Sequence, residues 1–187
     1  MMKQLNRFGA RSVLAAIALL ASLSVGAQSD FSPYVDDEGN ISFPAGFRTS
    51  MVHLGSWFVP EGDASGFHDV YTERESVEAF RETGAFPDGA TLVKELRVSD
   101  AGTYTTGQNV SFATSEIKQW FVMIKDTEGR FTSNPLWGEG WGWALFHTDD
   151  REVNVATGYA TDCLGCHVPA RNTDWIYVEA YPTLQSE

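Results

Sequence analysis

Between residues 91 and 100 the chain reads TLVKELRVSD, an alternation in which Leu92, Leu96 and Val98 point one way and Thr91, Glu95 and Arg97 the other. Successive side chains leave a strand on opposite faces, so the pattern predicts a strand and puts Lys94 on the face of the three aliphatic residues. A buried ammonium without a partner is costly, and such a lysine loses its proton at a lowered pKa or is matched by something on the same face.

Extended patterns dominate the rest of the chain. Residues 41–60 are strand-like but broken near Pro44-Ala45-Gly46, and FHDVYT (67–72) is extended. Residues 73–83 predict a helix with Val77 and Phe80 on one face and Gly84 placed to end it. FPDGA (86–90) is a turn that feeds the lysine strand, a polar hairpin-like region follows at 100–108, and apolar positions return in EIKQWFVMIKD (116–126). GWGWALF (140–146) sets Gly140, Gly142 and Ala144 against Trp141, Trp143 and Leu145, as a strand does when something bulky presses on its small-residue side. DWIYVEAYP (174–182) reads as a last strand. Together these elements predict an α+β fold, mainly antiparallel β-sheet with one or two helices packed on it, and no repeat or linker divides it.

The first residues change what this domain is expected to be. Lys3, Arg7 and Arg11 precede an apolar run over 12–25 and the small-residue ending Val25-Gly26-Ala27, the layout of a secretory signal peptide. The run is short for a membrane span. The expectation is a leader over 1–27, cleaved near Ala27, and an exported, periplasmic domain over 28–187 with no membrane span. Cleavage removes three basic residues and no acidic ones, taking the formal charge from −12 to −15. That excess disfavours nucleic acid and anionic membranes and suits attraction to cationic partners.

Both cysteines lie in CLGCH, residues 163–167. In C-x-x-C-H the thiols of Cys163 and Cys166 add to the two haem vinyl groups and His167 ligates the iron, so the motif predicts one covalently attached c-type haem. A zinc site from Cys163, Cys166, His167 and a remote His147 is the main alternative, and a Cys163–Cys166 disulfide another. No methionine follows His167. A sixth iron ligand has to come from upstream, from Met51, Met123, His53, His68 or His147, or the distal side stays open to small molecules.

FRETGAFPDGATLVKEL (80–96), GWGWALF, and CLGCH followed by WIYVEAYP (175–182) make the chain resemble the cytochrome P-460 family, which includes the cytochromes c′-beta. The likeness covers nearly all of residues 28–187. It implies a homodimer of mainly antiparallel sheet, a haem whose one protein ligand is His167, and Lys94 at the position where cytochromes P-460 carry a lysine bonded to the haem edge. It also implies oxidation of hydroxylamine to nitrous oxide or nitric oxide, with an electron-accepting periplasmic cytochrome as partner. Where family members can carry an arginine before the VY strand this chain has His68, which becomes the candidate proton acceptor beside Lys94. The alternative within the resemblance is a protein that binds nitric oxide without turnover, its distal side capped by phenylalanines such as Phe67, Phe86 or Phe112.

Overall fold

The computed structural model describes residues 31–185, so the leader expected over 1–27 lies outside them. Six strands form one antiparallel sheet: β1 (Val52–Val59), β2 (Gly66–Thr72), β3 (Thr91–Tyr104), β4 (Gly107–Lys125), β5 (Trp137–Gly138) and β6 (Trp141–His147), in the order β1-β2-β3-β4-β6-β5. A one-turn helix α1 (Phe47–Ser50) precedes the sheet, and the longer α2 (Arg74–Thr83) joins β2 to β3. Beyond the sheet run two more single turns, α3 (Tyr159–Asp162) and α4 (Leu164–His167), and then three 3₁₀ turns. The fold is α+β, as the alternation predicts. Among the described residues no helix is long and apolar enough to cross a membrane.

Helix α2 forms where its apolar positions recur, with Val77 buried, and it stops where Gly84 takes a left-handed φ of 77° and donates its N–H to the Phe80 carbonyl. Glu73, just before the helix, accepts hydrogen bonds from Ser76, Thr72 and the Thr91 N–H, which ties the start of β3 to the start of α2.

Both faces of the sheet are covered. One carries Val70, Leu92, Met123 and Trp143 under α2 and the C-terminal turns. The other carries Val93, Trp120, Val122 and Phe146 under Val35, Ile41 and Phe47 of the N-terminal segment. Thr91 and Glu95, on the more polar side of TLVKELRVSD, are therefore fully buried as well.

Two expectations are corrected. Residues 174–182 are not a last strand: Asp174 and Trp175 sit at φ of 56° and 68°, left-handed values that break an extended run, and the chain continues as 3₁₀ turns at Val178–Ala180 and Pro182–Leu184. Within 41–60 only β1 is a strand, because Gly46 at φ 77° turns the chain into α1. The bulky group against the small side of β6 is a side chain of the protein itself. A Cβ on Gly142 would lie 2.6 Å from the Trp137 ring.

A close approach of the same kind supports the C-terminal segment. A Cβ on Gly138 would lie 2.1 Å from the Tyr159 ring, and Tyr159 in turn stacks on Trp143 with the rings 18° from parallel. Gly138→Ala is expected to destabilise the protein by about 1–3 kcal/mol through overpacking, read as a lower denaturant midpoint with an unchanged slope.

Candidate functional site

A cavity of about 550 Å³ opens against one face of the sheet. Cross-strand pairing lays out its wall. One row runs Trp57, His68, Leu96 and Gln119; the next runs Val70, Lys94, Phe121 and Leu145; a third runs Leu92, Met123 and Trp143. Residues opposite each other in an antiparallel pair share a face, so the register alone brings these side chains together. The facing wall comes from the C-terminal turns, which contribute Asp162, Cys163, Cys166, His167 and Tyr177.

The one-turn helix α4 sets Cys163, Cys166 and His167 on the cavity. The left-handed turn at Asp174 and Trp175 delivers the Trp175 carbonyl to His167, which donates its Nδ1–H to that oxygen at 2.7 Å. This fixes the proton on Nδ1 and leaves Nε2 with a free lone pair, the form in which histidine ligates a metal. Trp143 holds the ring from the side in an edge contact at 4.9 Å. Burial pushes the His167 pKa down to about 4, with the charge of Lys94 acting in the same direction and the Trp175 hydrogen bond against it. The imidazole is neutral at pH 7.

This shift sets an acid limit on the haem-free chain. Its folded state resists protonating His167 while the unfolded state takes the proton near 6.5, so the contribution to stability is whole above 6.5 and is lost as pH falls from there to about 4. Urea unfolding across that window is expected to show a smaller loss for His167→Gln than for the wild type.

Lys94 points into the cavity from near the start of β3. Its Nζ lies 3.9 Å from the centre of the Phe121 ring. Burial lowers its pKa to about 8, against the opposing pull of the two thiols. Glu95 is no partner for it. That carboxylate leaves the opposite face, accepts from Arg48 Nε at 3.1 Å and from Trp120 Nε1 at 2.9 Å, and is fully buried.

His68 is on the wall beside Lys94, in the neighbouring row. Its Nε2 donates to the Ala64 carbonyl at 2.7 Å, leaving Nδ1 as the acceptor. Burial holds its pKa below the ordinary value, helped by the charges of Lys94 and Lys118 and opposed by the Ala64 hydrogen bond.

Of the other upstream ligand candidates only Met123 lines the cavity. Met51 packs on the reverse side of the sheet, His53 lies beside Ser56 and Asp69, and His147 is exposed at the end of β6. The proposed phenylalanine caps are elsewhere too. Phe67 packs on Phe58, Phe86 lies between Phe80 and Trp141, and Phe112 meets Tyr104 at the surface. The phenylalanine on the wall is Phe121. Its signal was in EIKQWFVMIKD, where it shares strand parity with Met123, already a candidate.

The residues present fit a c-type haem better than zinc or a disulfide. Cys163 and Cys166 are both free, and among the described residues no group of three or more His, Cys, Asp or Glu side chains is placed to hold a metal ion. A largely apolar cavity carrying two thiols, with the neutral His167 imidazole beside them and His68 on the facing wall, suits a flat, apolar macrocycle with a single protein ligand to its iron.

A model of one protein family, described as cytochrome P-460, matches residues 44–178. The match takes in β1 to β6, Lys94 and the whole CLGCH segment. No curated protein sequence matches the chain.

Proposed function

The chain belongs to the cytochrome P-460 family, which implies a haem cofactor, and from that premise we propose that it is a periplasmic mono-haem c-type cytochrome that oxidises hydroxylamine to nitrous oxide or nitric oxide. The observation that carries this reading is the meeting of Lys94, Cys163, Cys166 and His167 on one apolar cavity. When bound, the haem would supply the electron-transfer chemistry for a small nitrogenous substrate. The chain's own residues do the rest. Cys163 and Cys166 would hold the macrocycle through thioether bonds, and His167 would ligate the iron through Nε2.

Lys94 makes a third attachment. A lysine that burial has brought near pKa 8 has a usable fraction of neutral amine, and neutral amine is the nucleophile. Oxidation of hydroxylamine releases protons as well as electrons. His68 takes a proton at Nδ1, for which its neutral state and its fixed Nε2–H suit it. Electrons leave to a periplasmic cytochrome. The strongly negative charge of the mature chain, with Asp63 and Asp162 on the cavity, favours a basic acceptor. By the family resemblance the working unit is a homodimer.

A second reading, a nitric-oxide-binding protein without turnover, draws support from the contact of Lys94 with Phe121, since an aromatic face stabilises an unbonded ammonium. Digestion of the denatured holoprotein separates the two. A haem peptide joined through Cys163, Cys166 and Lys94, together with hydroxylamine turnover against an artificial oxidant, is the expected result. A peptide held by two thioethers alone, from a protein inert to hydroxylamine, moves the assignment to the binding protein.

A further inference from the structure

Across four strands Val70, Lys94, Phe121 and Leu145 stand side by side on the cavity wall. Phe121 is the direct cross-strand partner of Lys94 on one side and of Leu145 on the other, so its ring is wedged in place. The ring centre lies 3.9 Å from Nζ, the contact expected of an ammonium seated on an aromatic face. Among the described residues Nζ has no hydrogen bond or ion pair, so the ring is what restrains it.

We infer that Phe121 is a positioning residue for Lys94, holding the amine at one point of the cavity wall so that it meets a single carbon of the haem edge. The inference rests on the cross-link proposed above. A free four-carbon stem samples many rotamers, and most of them carry the amine away from any one point. A carboxylate would also restrain it, but it would hold the proton on the amine and suppress its nucleophilicity. An aromatic face restrains at a smaller penalty, because its attraction for the ammonium is weaker than a carboxylate's and it also accepts an N–H from the neutral amine.

Bond formation replaces one N–H of the amine and one meso C–H of the macrocycle with a C–N bond. Two protons and two electrons are released, and a peroxide oxidant takes them up and is reduced to water.

Full-length holoproteins of the wild type, Phe121→Leu, Phe121→Met, Phe121→Tyr and Phe121→Trp are exposed to hydrogen peroxide at a pH near 9, where the wild-type amine is largely neutral. Their haem peptides are then weighed and the attachment points mapped, with haem content and Tm measured alongside. Leucine and methionine fill the apolar space without an aromatic face. They are expected to keep both thioethers while the fraction carrying the third bond falls at least about threefold, with more than one attachment isomer. Tyrosine and tryptophan are expected to keep one isomer at the wild-type fraction. A wild-type fraction and a single isomer in both aliphatic variants would overturn the role of Phe121 while leaving the cross-link intact. So would failure of the aromatic variants to rescue. A wild type without the third bond overturns the cross-link and this inference with it.

Discussion

The Lys94→Leu protein is expected to retain its haem through two thioether bonds and to oxidise hydroxylamine roughly 10–100-fold more slowly than the wild type, the range that changes close to a metal's ligands produce. The substitution separates chemistry from folding. Lys94 stands between Val70 and Phe121 on an apolar wall, with Leu92 and Leu96 on the same face of its strand, so a leucine there extends an existing pattern. It also removes a buried amine whose charged form is disfavoured in that place. Thermal stability is expected to hold or rise, and a loss of turnover is then a loss of the amine itself. Peptide mass and steady-state turnover against an artificial oxidant read the two effects separately. Wild-type turnover in a protein shown to lack the third bond would remove Lys94 from the proposed chemistry.

Arg48→Met is expected to destabilise the protein by about 3 kcal/mol, because it leaves the fully buried Glu95 carboxylate without its cation. Arg48 binds both carboxylate oxygens, and its removal leaves Trp120 Nε1 as the remaining side-chain donor. For a domain of this size the loss corresponds to a Tm lower by about 6–12 °C. The double variant Arg48→Met, Glu95→Met removes the stranded charge and is expected to recover most of the stability. A single variant as stable as the wild type would show that the Arg48–Glu95 pair does not anchor this face. Glu95 follows Lys94 on β3 and points through the opposite face. Its anchor therefore also holds the phase of the strand that sends Lys94 into the cavity.

The parts of this site legible in the sequence were those set by short-range geometry. CLGCH is readable because two thiols and a ligand at that spacing serve one cofactor, and Lys94 because strand parity alone places it with Leu92 and Leu96. What escaped depends on residues far apart in the chain. Glu95 shares a strand face with Thr91 and Arg97 in the sequence pattern, yet the N-terminal segment with Phe47 and Arg48 covers that face. Which phenylalanine faces the cavity, Phe121 and not Phe67, Phe86 or Phe112, depends on the β3–β4 register, a pairing that no local pattern states. The run WIYVEAYP has the composition of a strand. It turns instead, because the Trp175 carbonyl is bound to His167 and the residues at 174 and 175 adopt left-handed conformations to put it there.

Every strand of the cavity wall ends by His147, whereas the two thiols and the imidazole come after residue 160. The C-terminal turns lie across Gly55 of β1 so closely that a Cβ there would stand 2.0 Å from the Ala180 carbonyl oxygen. The half of the site that carries His68, Lys94 and Phe121 is thus encoded apart from the half that would grip the cofactor, and the two are joined where Trp175, Ile176, Tyr181 and Leu184 pack into one core with Leu54, Val70 and Leu92.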